Sequence, residues 1–241
     1  MLVKTNGIII KNTNFKDNGV ITKIFTSQFG IQSFVLNGVR NQKGAIKPSH
    51  IFPLNLVEMV IYRKENANIQ HIKELRCHPP LNSLHFNVLK NGIALFISEI
   101  LNASLTEEEP NEELFLFLQN FIIVLDLESE KLANYPLYFL MHLCRYLGFY
   151  PKGIYKEGQL LNLKEGLFVD SGYQNTECID AKSTLMWRKM MEISLHEWSQ
   201  THLSKQTRTT LLDQLLLYYQ YHGLHGKAIK SHKVLHEVFA V

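Results

Sequence analysis

The hydrophobic periodicity of the sequence changes once, at Pro79 and Pro80. Before these prolines, short runs of β-branched and aromatic residues alternate with turn residues, a pattern typical of strands. After them, apolar residues recur at intervals of three and four, which indicates amphipathic helices. A block of strands followed by a block of helices is characteristic of the α+β class. We therefore predict two domains, residues 1–79 and residues 80–241.

Five strand-like runs occupy the first domain. In the second run, the even positions from Val20 to Thr26 alternate with the odd positions from Ile21 to Phe25, so one face is apolar and the other mixed. Five strands in a segment of this size match a partly open Greek-key barrel of OB type, whose strand face and loops bind oligonucleotides. An SH3-like barrel is the alternative. The predicted strands are residues 7–11, 20–26, 31–36, 54–62 and 69–75.

The second domain is predicted to be mostly helical. Two of its segments, residues 114–127 and 138–147, are apolar nearly all round, which suits buried helices. The helical period lapses between about residues 150 and 181, where four glycines separate short strand-like pieces, so we expect a small irregular β insertion there. The other predicted helices are residues 84–101, 183–198, 207–222 and a short last helix with Ser231 as its N-cap.

Charge is distributed unevenly along the chain. Residues 1–80 carry 11 Lys and Arg against 4 Asp and Glu, whereas residues 81–180 carry 6 against 14. Residues 181–241 carry 8 against 4. A basic segment of this kind indicates a polyanionic partner, with an ordinary solvated surface as the other interpretation. The charge pattern therefore favours nucleic acid as a partner of the barrel.

Several function classes lack their sequence signatures. No phosphate-binding, dinucleotide-binding, serine-hydrolase or zinc-protease motif is present, so we predict no enzyme activity and no cofactor. The three cysteines are widely spaced and odd in number, and neither Cys77-His78 nor the pair His222 and His225 has enough ligands for a metal. The sequence shows no signal peptide and no apolar stretch long enough to cross a membrane. We expect a cytoplasmic, nucleoid-associated protein.

The loop at residues 37–47 combines two glycines, three cations and three amide side chains directly after a strand. Backbone amides and cations on such a loop can follow a phosphate backbone without reading bases, although a polar hairpin connection is the alternative. Phe15 and Tyr62 are candidate stacking residues, and Phe25 is assigned to the core. The predicted DNA-binding residues are Lys11, Lys16, Lys23, Arg40, Lys43, Lys47, Arg63, Lys64 and Arg145. For Arg145, a salt bridge to the acidic middle segment is the alternative.

Several segments resemble the family of the bacterial recombination mediator protein RecO. The resemblance is carried by residues 5–10, 20–30, 36–40, 145–151, 218–222 and 231–235. It implies an N-terminal OB-fold, a helical domain and no catalytic site. It further implies binding of single- and double-stranded DNA, annealing of complementary strands, and loading of the RecA recombinase onto DNA coated by single-strand-binding protein. The implied protein partners are the tail of that coating protein and the mediator RecR.

One feature departs from the pattern of this family. Many of its members carry a four-cysteine zinc site in the insertion, whereas here only Cys178 lies in that region. We therefore predict no zinc, with the short strands of the insertion packing unaided.

Two other interpretations remain open at the level of sequence. The chain could be a protein-only adaptor whose barrel binds a peptide while its acidic helices face a basic partner. An enzyme with an unrecognised site is the third possibility. Binding of short single strands separates the first of these from a DNA-handling protein.

Overall fold

The computed structural model describes residues 1–15, 19–39, 46–64, 67–106, 109–173 and 176–239. The chain folds as two compact units, Met1–Leu127 and Glu128–Val241. This division falls later than the change in periodicity, because the first two long helices belong to the same unit as the strands. The predicted domain limits at residues 79 and 80 stay a prediction about domain organisation.

The first unit contains a closed five-stranded barrel, which confirms the predicted OB-like fold. Its strands follow one another around the barrel in the order β1-β2-β3-β5-β4. β1 pairs with β2 and with β4, while β3 and β5 close the barrel through a short parallel pairing. β1 begins before the predicted strand because residues 2–6, which form no apolar run, pair with β4. The strands are β1 (Leu2–Phe15), β2 (Gly19–Thr26), β3 (Gly30–Asn37), β4 (Leu56–Tyr62) and β5 (Gln70–Cys77).

The alternation predicted for β2 places its even positions inside the barrel. Ile24 packs there with Phe34 and Met59 in the main core cluster. Gly7 lies at the closest approach of the strands, because a Cβ at this position would lie 2.5 Å from Ile24 Cγ2 and 2.9 Å from Met59 Cε. The size of the barrel interior therefore depends on a glycine in β1 as well as on its large apolar residues.

Two helices, α1 (Val88–Ser104) and α2 (Glu112–Leu127), complete the first unit. α1 begins after the predicted start because Asn87 caps it, its side-chain oxygen accepting from the N–H groups of Leu89 and Lys90. The Ser98 hydroxyl donates to the carbonyl of Ile10 and so joins α1 to β1. α1 therefore covers part of the outer surface of the barrel.

Phe25 is buried, as predicted, but it lies outside the barrel interior. Its ring centroid is 6.0 Å from that of Phe115 in α2. The prediction that residues 114–127 are buried all round is wrong, because Leu116, Val124 and Leu127 are exposed. α2 is thus an amphipathic helix with one face on the barrel side and the other in solvent.

The second unit is helical with a two-stranded sheet, which confirms the predicted insertion. The segment predicted as one helix at residues 183–198 forms two, because Ser194 and Glu197 form a capping box that starts a new helix. Ser231 occupies the predicted N-cap position of the last helix but makes no side-chain capping bond. The elements are α3 (Tyr135–Tyr146), β6 (Gln159–Asn162), β7 (Leu167–Asp170), α4 (Ala181–Glu192), α5 (Leu195–Gln200), α6 (Lys205–His222) and α7 (His232–Val238).

Aromatic residues form the centre of the second unit. Trp187 and Tyr219 are fully buried, and the Tyr219 hydroxyl donates to the carbonyl of Leu140 at 2.8 Å. Phe149 packs edge-on against Tyr219, with 5.1 Å between the ring centroids. Among the described helices, none has the length and the apolar character that crossing a bilayer requires.

Candidate nucleic-acid interface

Two of the predicted cations are neighbours on the barrel. Lys11 of β1 lies directly opposite Lys23 of β2, and Lys23 lies opposite Ser33 of β3. Residues opposite each other in antiparallel strands share a face, and here it is the outer face, because the adjacent even positions of β2 point inward. The three strands thus present a row of polar side chains beside the buried row that contains Phe25.

The residues that form β1, β2 and β3 include no Asp or Glu. Between Met1 and Val57 the sequence contains one acidic residue, Asp17, which lies outside the described residues. The next acidic residue in sequence is Glu58 of β4, whose Oε2 lies 4.0 Å from Lys4 Nζ of β1 and 2.6 Å from Arg76 Nη2 of β5. The hydrogen bond from Arg76 holds the pKa of the Glu58 carboxyl below its usual value. The excess of Lys and Arg over Asp and Glu in residues 1–80 is therefore also found on this face of the barrel.

Lys47 lies at the end of the barrel where β1 and β3 finish. It precedes a short 3₁₀ turn, Pro48–Ile51, whose Ile51 packs with Val20, Leu36 and Val39. The Asn12 side chain donates to the carbonyl of Ile51 at 2.6 Å, which ties the turn to β1 next to Lys11. Lys11, Lys23 and Lys47 therefore belong to one end of the barrel, which we call the basic end.

Three predicted residues lie outside the described part of the chain: Lys16, Arg40 and Lys43. The described residues that bound them in sequence, Phe15, Gly19, Val39 and Ile46, belong to the end of the barrel that carries Lys47. Nothing in the structure tests the contacts of these three cations, and their role stays a prediction.

Arg63 and Lys64 lie at the opposite end, where β1 begins. The N–H of Arg63 donates to the carbonyl of Met1 at 2.9 Å, and its guanidinium lies 4.1 Å from the centroid of the Phe29 ring. Lys64 is held through its backbone, which donates to and accepts from the Gln70 amide. The described cations therefore form two groups toward opposite ends of the barrel, and their contact with DNA stays a prediction.

The second group of cations lies in the connection between β4 and β5. In OB barrels the ligand face of the second and third strands is flanked by the loops that join strands one to two and four to five. Arg63 and Lys64 begin the second of these loops. Arg63 and Lys64 thus stand at the flank opposite Lys47 of the face that contains Lys23.

Arg145 belongs to the second unit, at the end of α3. It is exposed, and its guanidinium carbon lies 4.6 Å from the centroid of the Tyr150 ring. Its described contact is thus a cation–π contact within its own unit, which accounts for its position without the predicted salt bridge. Its contact with DNA stays a prediction.

The sequence interpretation missed two exposed aromatic residues of the first unit. Phe86 is 81% exposed and Phe52 is 41% exposed, compared with 46% for the predicted stacking residue Tyr62. Phe86 carried no signal because the segment around it was interpreted as the first turn of a helix. Phe15, the other predicted stacking residue, is partly buried.

No described group of three or more His, Cys, Asp or Glu side chains is arranged to hold a metal ion. Cys77, Cys144 and Cys178 are free thiols. Burial raises the pKa of the Cys144 thiol, which keeps it protonated inside the second unit. These observations leave charge and aromatic surface as the chemistry that the described part of the chain offers.

The fold and the site together define a class: an OB-type barrel with a basic, carboxylate-free strand face, joined to a helical part with a small β insertion. Two family models match this chain. The chain matches the family model described as recombination protein O N terminal over residues 1–80, and the one described as recombination protein O C terminal over residues 85–231. The chain belongs to the RecO family of DNA repair and recombination proteins.

Full-length relatives show the same relationship. The chain is 33% identical over 241 residues to the DNA repair protein RecO of Flavobacterium psychrophilum, with 100% of each chain covered. It is 32% identical over 240 residues to that of Christiangramia forsetii, and 30% identical over 240 residues to that of Azobacteroides pseudotrichonymphae. Both alignments cover 99% of this chain and 100% of the relative.

Proposed function

We propose that this protein is a recombination mediator without catalytic activity. In this proposal it binds single- and double-stranded DNA, anneals complementary strands, and helps to load RecA onto DNA coated by single-strand-binding protein, at the cytoplasmic nucleoid. The observation that supports it best is the outer face of β1 to β3, where Lys11 and Lys23 lie side by side without a carboxylate on the three strands. RecR and the tail of the single-strand-binding protein are its proposed protein partners.

The physical mechanism is electrostatic. Cations that neutralise phosphates release counterions, so affinity falls as salt rises and does not depend on sequence. Two strands held on one cationic face repel each other less and search for register at a high local concentration. Annealing therefore requires no nucleotide hydrolysis, which agrees with the absence of a phosphate-binding motif from the sequence.

The deciding experiment is salt-dependent binding of a short single strand to the full chain. If about five phosphates are contacted, log affinity falls with log salt at a slope near −3.5. Arg40→Glu/Lys43→Glu/Lys47→Glu is expected to weaken binding strongly and to flatten the slope. The matched control is Lys152→Glu/Lys156→Glu/Lys164→Glu, which reverses three exposed charges of the second unit.

Each result of this experiment has a distinct meaning. A slope near zero for the wild type excludes phosphate contacts and leaves the protein-only adaptor as the better function. Equal affinity of the first triple variant and the wild type excludes the loop at residues 40–47 as a contact. Loss of annealing and of RecA loading in parallel with DNA affinity supports the full proposal.

A groove in the second unit is our proposed site for the tail of the single-strand-binding protein. It is lined by the apolar residues Pro136, Leu137 and Leu212 and by two cations, Lys205 and Arg208, of which Arg208 also donates to the carbonyl of Leu203 at 2.6 Å. Such a groove fits a peptide end that has apolar side chains and a carboxylate. Arg208→Glu is expected to abolish binding of a labelled tail peptide while binding of bare DNA is retained, and unchanged peptide binding would exclude this groove.

A further inference from the structure

Phe52 and Phe86 form an aromatic surface that the fold does not require. The two residues are 41% and 81% exposed, and the ring of His85, which precedes Phe86 in the chain, has its centroid 5.2 Å from that of Phe52. Burying a Phe side chain gains about 2 kcal/mol or more, so these two residues, left exposed, contribute little of that gain to folding. We call Phe52, His85 and Phe86 the aromatic platform.

The loop that carries Phe86 is fixed firmly. Both oxygens of the Asp126 carboxylate accept backbone hydrogen bonds from this loop, from Asn82 at 2.9 Å, Ser83 at 2.8 Å and Leu84 at 2.7 Å. Burial by itself raises the pKa of Asp126, and these three donors lower it below its usual value. Lys90 closes the arrangement by donating to the Asp126 carbonyl at 2.7 Å. Phe86 is therefore presented on a rigid support.

His85 joins this loop to the 3₁₀ turn of the basic end. The amide nitrogen of Asn55 donates to the carbonyls of Ser49 and His50, so its oxygen is free to accept from His85 Nε2, which lies 2.9 Å away. Burial lowers the pKa of His85 more than the charge of Asp126 raises it. A neutral ring thus packs against Phe52 with an angle of 58° between the ring planes, five residues after Lys47 in the chain.

The charges around the aromatic platform indicate what kind of partner binds it. The two segments that build it, residues 46–57 and 75–98, contain no Asp or Glu. Two described carboxylates contact these segments: that of Asp126 is buried and accepts several hydrogen bonds, and that of Glu58 is engaged by Arg76. Exposed aromatic rings beside cations are the combination that binds single strands, because each base stacks on a ring while its phosphate meets a cation.

We propose that the aromatic platform stacks bases of single-stranded nucleic acid whose phosphates are held by the basic end. This proposal rests on the proposed DNA binding and adds a site that recognises unpaired bases. It gives the protein a reason to prefer single strands, since the bases of a duplex are stacked on one another.

The test compares two labelled 30-nucleotide probes, oligo(dT) and an abasic strand with the same phosphates, by fluorescence anisotropy. Wild type binds oligo(dT) more tightly than the abasic strand. Phe86→Ala weakens binding of oligo(dT) at least about fivefold and leaves the abasic strand unchanged, because stacking contributes roughly 1–3 kcal/mol per base. Phe86→Trp retains the preference. The control is Ile154→Ala, which truncates an exposed apolar side chain of the second unit and changes neither affinity.

Three results would overturn the proposal, and they are distinguishable. If Phe86→Ala binds each probe as tightly as wild type does, the aromatic platform is excluded as a base-stacking site, and the proposed DNA binding is unaffected. Failure of wild type to bind either probe removes the proposed function itself. Normal DNA binding by Phe86→Ala, together with defective RecA loading, assigns the surface to a protein partner. Phe86 is mostly exposed, so its truncation leaves the fold stable, as thermal unfolding will confirm.

Discussion

Lys11 and Lys23 lie directly opposite each other on β1 and β2, in the register that pairs Asn12 with Thr22. The register therefore brings two cations of the sequence together on the outer face of the barrel. Such a concentration of positive charge attracts phosphates, which supports the proposed DNA binding.

The first prediction concerns Lys11→Gln. We expect affinity for a single strand to fall severalfold at moderate salt and the slope of log affinity against log salt to become shallower by about 0.7, the effect of one phosphate contact. Thermal stability should stay unchanged or rise slightly, because one charge of the pair is lost. Lys156→Gln, an exposed lysine of the second unit, is the control. A lower melting temperature with unchanged DNA affinity would assign Lys11 a structural role.

The second prediction concerns Asp126→Asn, which replaces one carboxylate oxygen by an NH2 group that cannot accept a hydrogen bond. We expect a loss of about 2 kcal/mol in the free energy of unfolding near neutral pH, because hydrogen bonds to a charged acceptor are lost and a backbone donor is left buried. Urea denaturation measures this loss. Asp213→Asn, at an exposed position of α6, is the control and should change little.

The pH dependence of the same variant follows from the lowered pKa of Asp126. A carboxyl whose pKa is lower in the folded state stabilises the protein fully above its unfolded value, here 3.8, and loses this effect as pH falls through the folded value. The difference in unfolding free energy between wild type and Asp126→Asn should therefore be constant from about pH 5 to pH 8 and shrink below about pH 4. A difference that grows on acidification would contradict this assignment.

The sequence predicted the barrel because period-two alternation and turn residues report local geometry directly. Strand β1 was predicted too short, since the pairing of residues 2–6 with β4 depends on a neighbour distant in sequence. The break between α4 and α5 carried a local signal, the capping pair Ser194 and Glu197, that an apolar periodicity alone passes over. Local sequence rules therefore predicted the type of an element more accurately than they predicted its ends.

The candidate site was less predictable than the fold. Cation types and the loop at residues 37–47 can be read from the sequence, but the pairing of Lys11 with Lys23 depends on strand register. The exposure of Phe86 depends on Asp126, which fixes the loop before α1 through Ser83, 43 residues away in the chain. Such long-range contacts have no signature in a single sequence, and the aromatic platform was therefore missed.

The third prediction concerns metal. The β6–β7 hairpin is closed by the Asn162 side chain, which accepts from the N–H groups of Lys164 and Glu165 at 3.0 Å each, while Thr184 accepts from Leu161. Because these bonds hold the insertion together, we expect chelation with EDTA to leave the melting temperature unchanged. We also expect elemental analysis of the purified chain to find far less than one zinc per molecule. One tightly held zinc per chain would contradict both expectations.

The fourth prediction concerns two glycines of the second unit that both have positive φ, Gly148 at 82° and Gly166 at 67°. At Gly148 an added Cβ meets nothing within 4 Å, so Gly148→Ala should cost only the left-handed backbone penalty, about 1 kcal/mol. At Gly166 the added Cβ would lie 2.8 Å from the hydroxyl of Tyr218, which is bonded to the carbonyl of Phe149.

Gly166→Ala should therefore cost about 1–3 kcal/mol more than Gly148→Ala, because the same backbone strain is joined by a clash with a buried side chain that has little freedom to move. Urea denaturation of the two variants measures the difference, and the pair controls for the left-handed conformation itself. Tyr218→Phe in the Gly166→Ala background removes the clashing hydroxyl and should recover part of the loss. Equal losses at the two glycines would show that the Tyr218 side chain moves aside at no cost, and that the hairpin packs on α6 less tightly than the contact distance indicates.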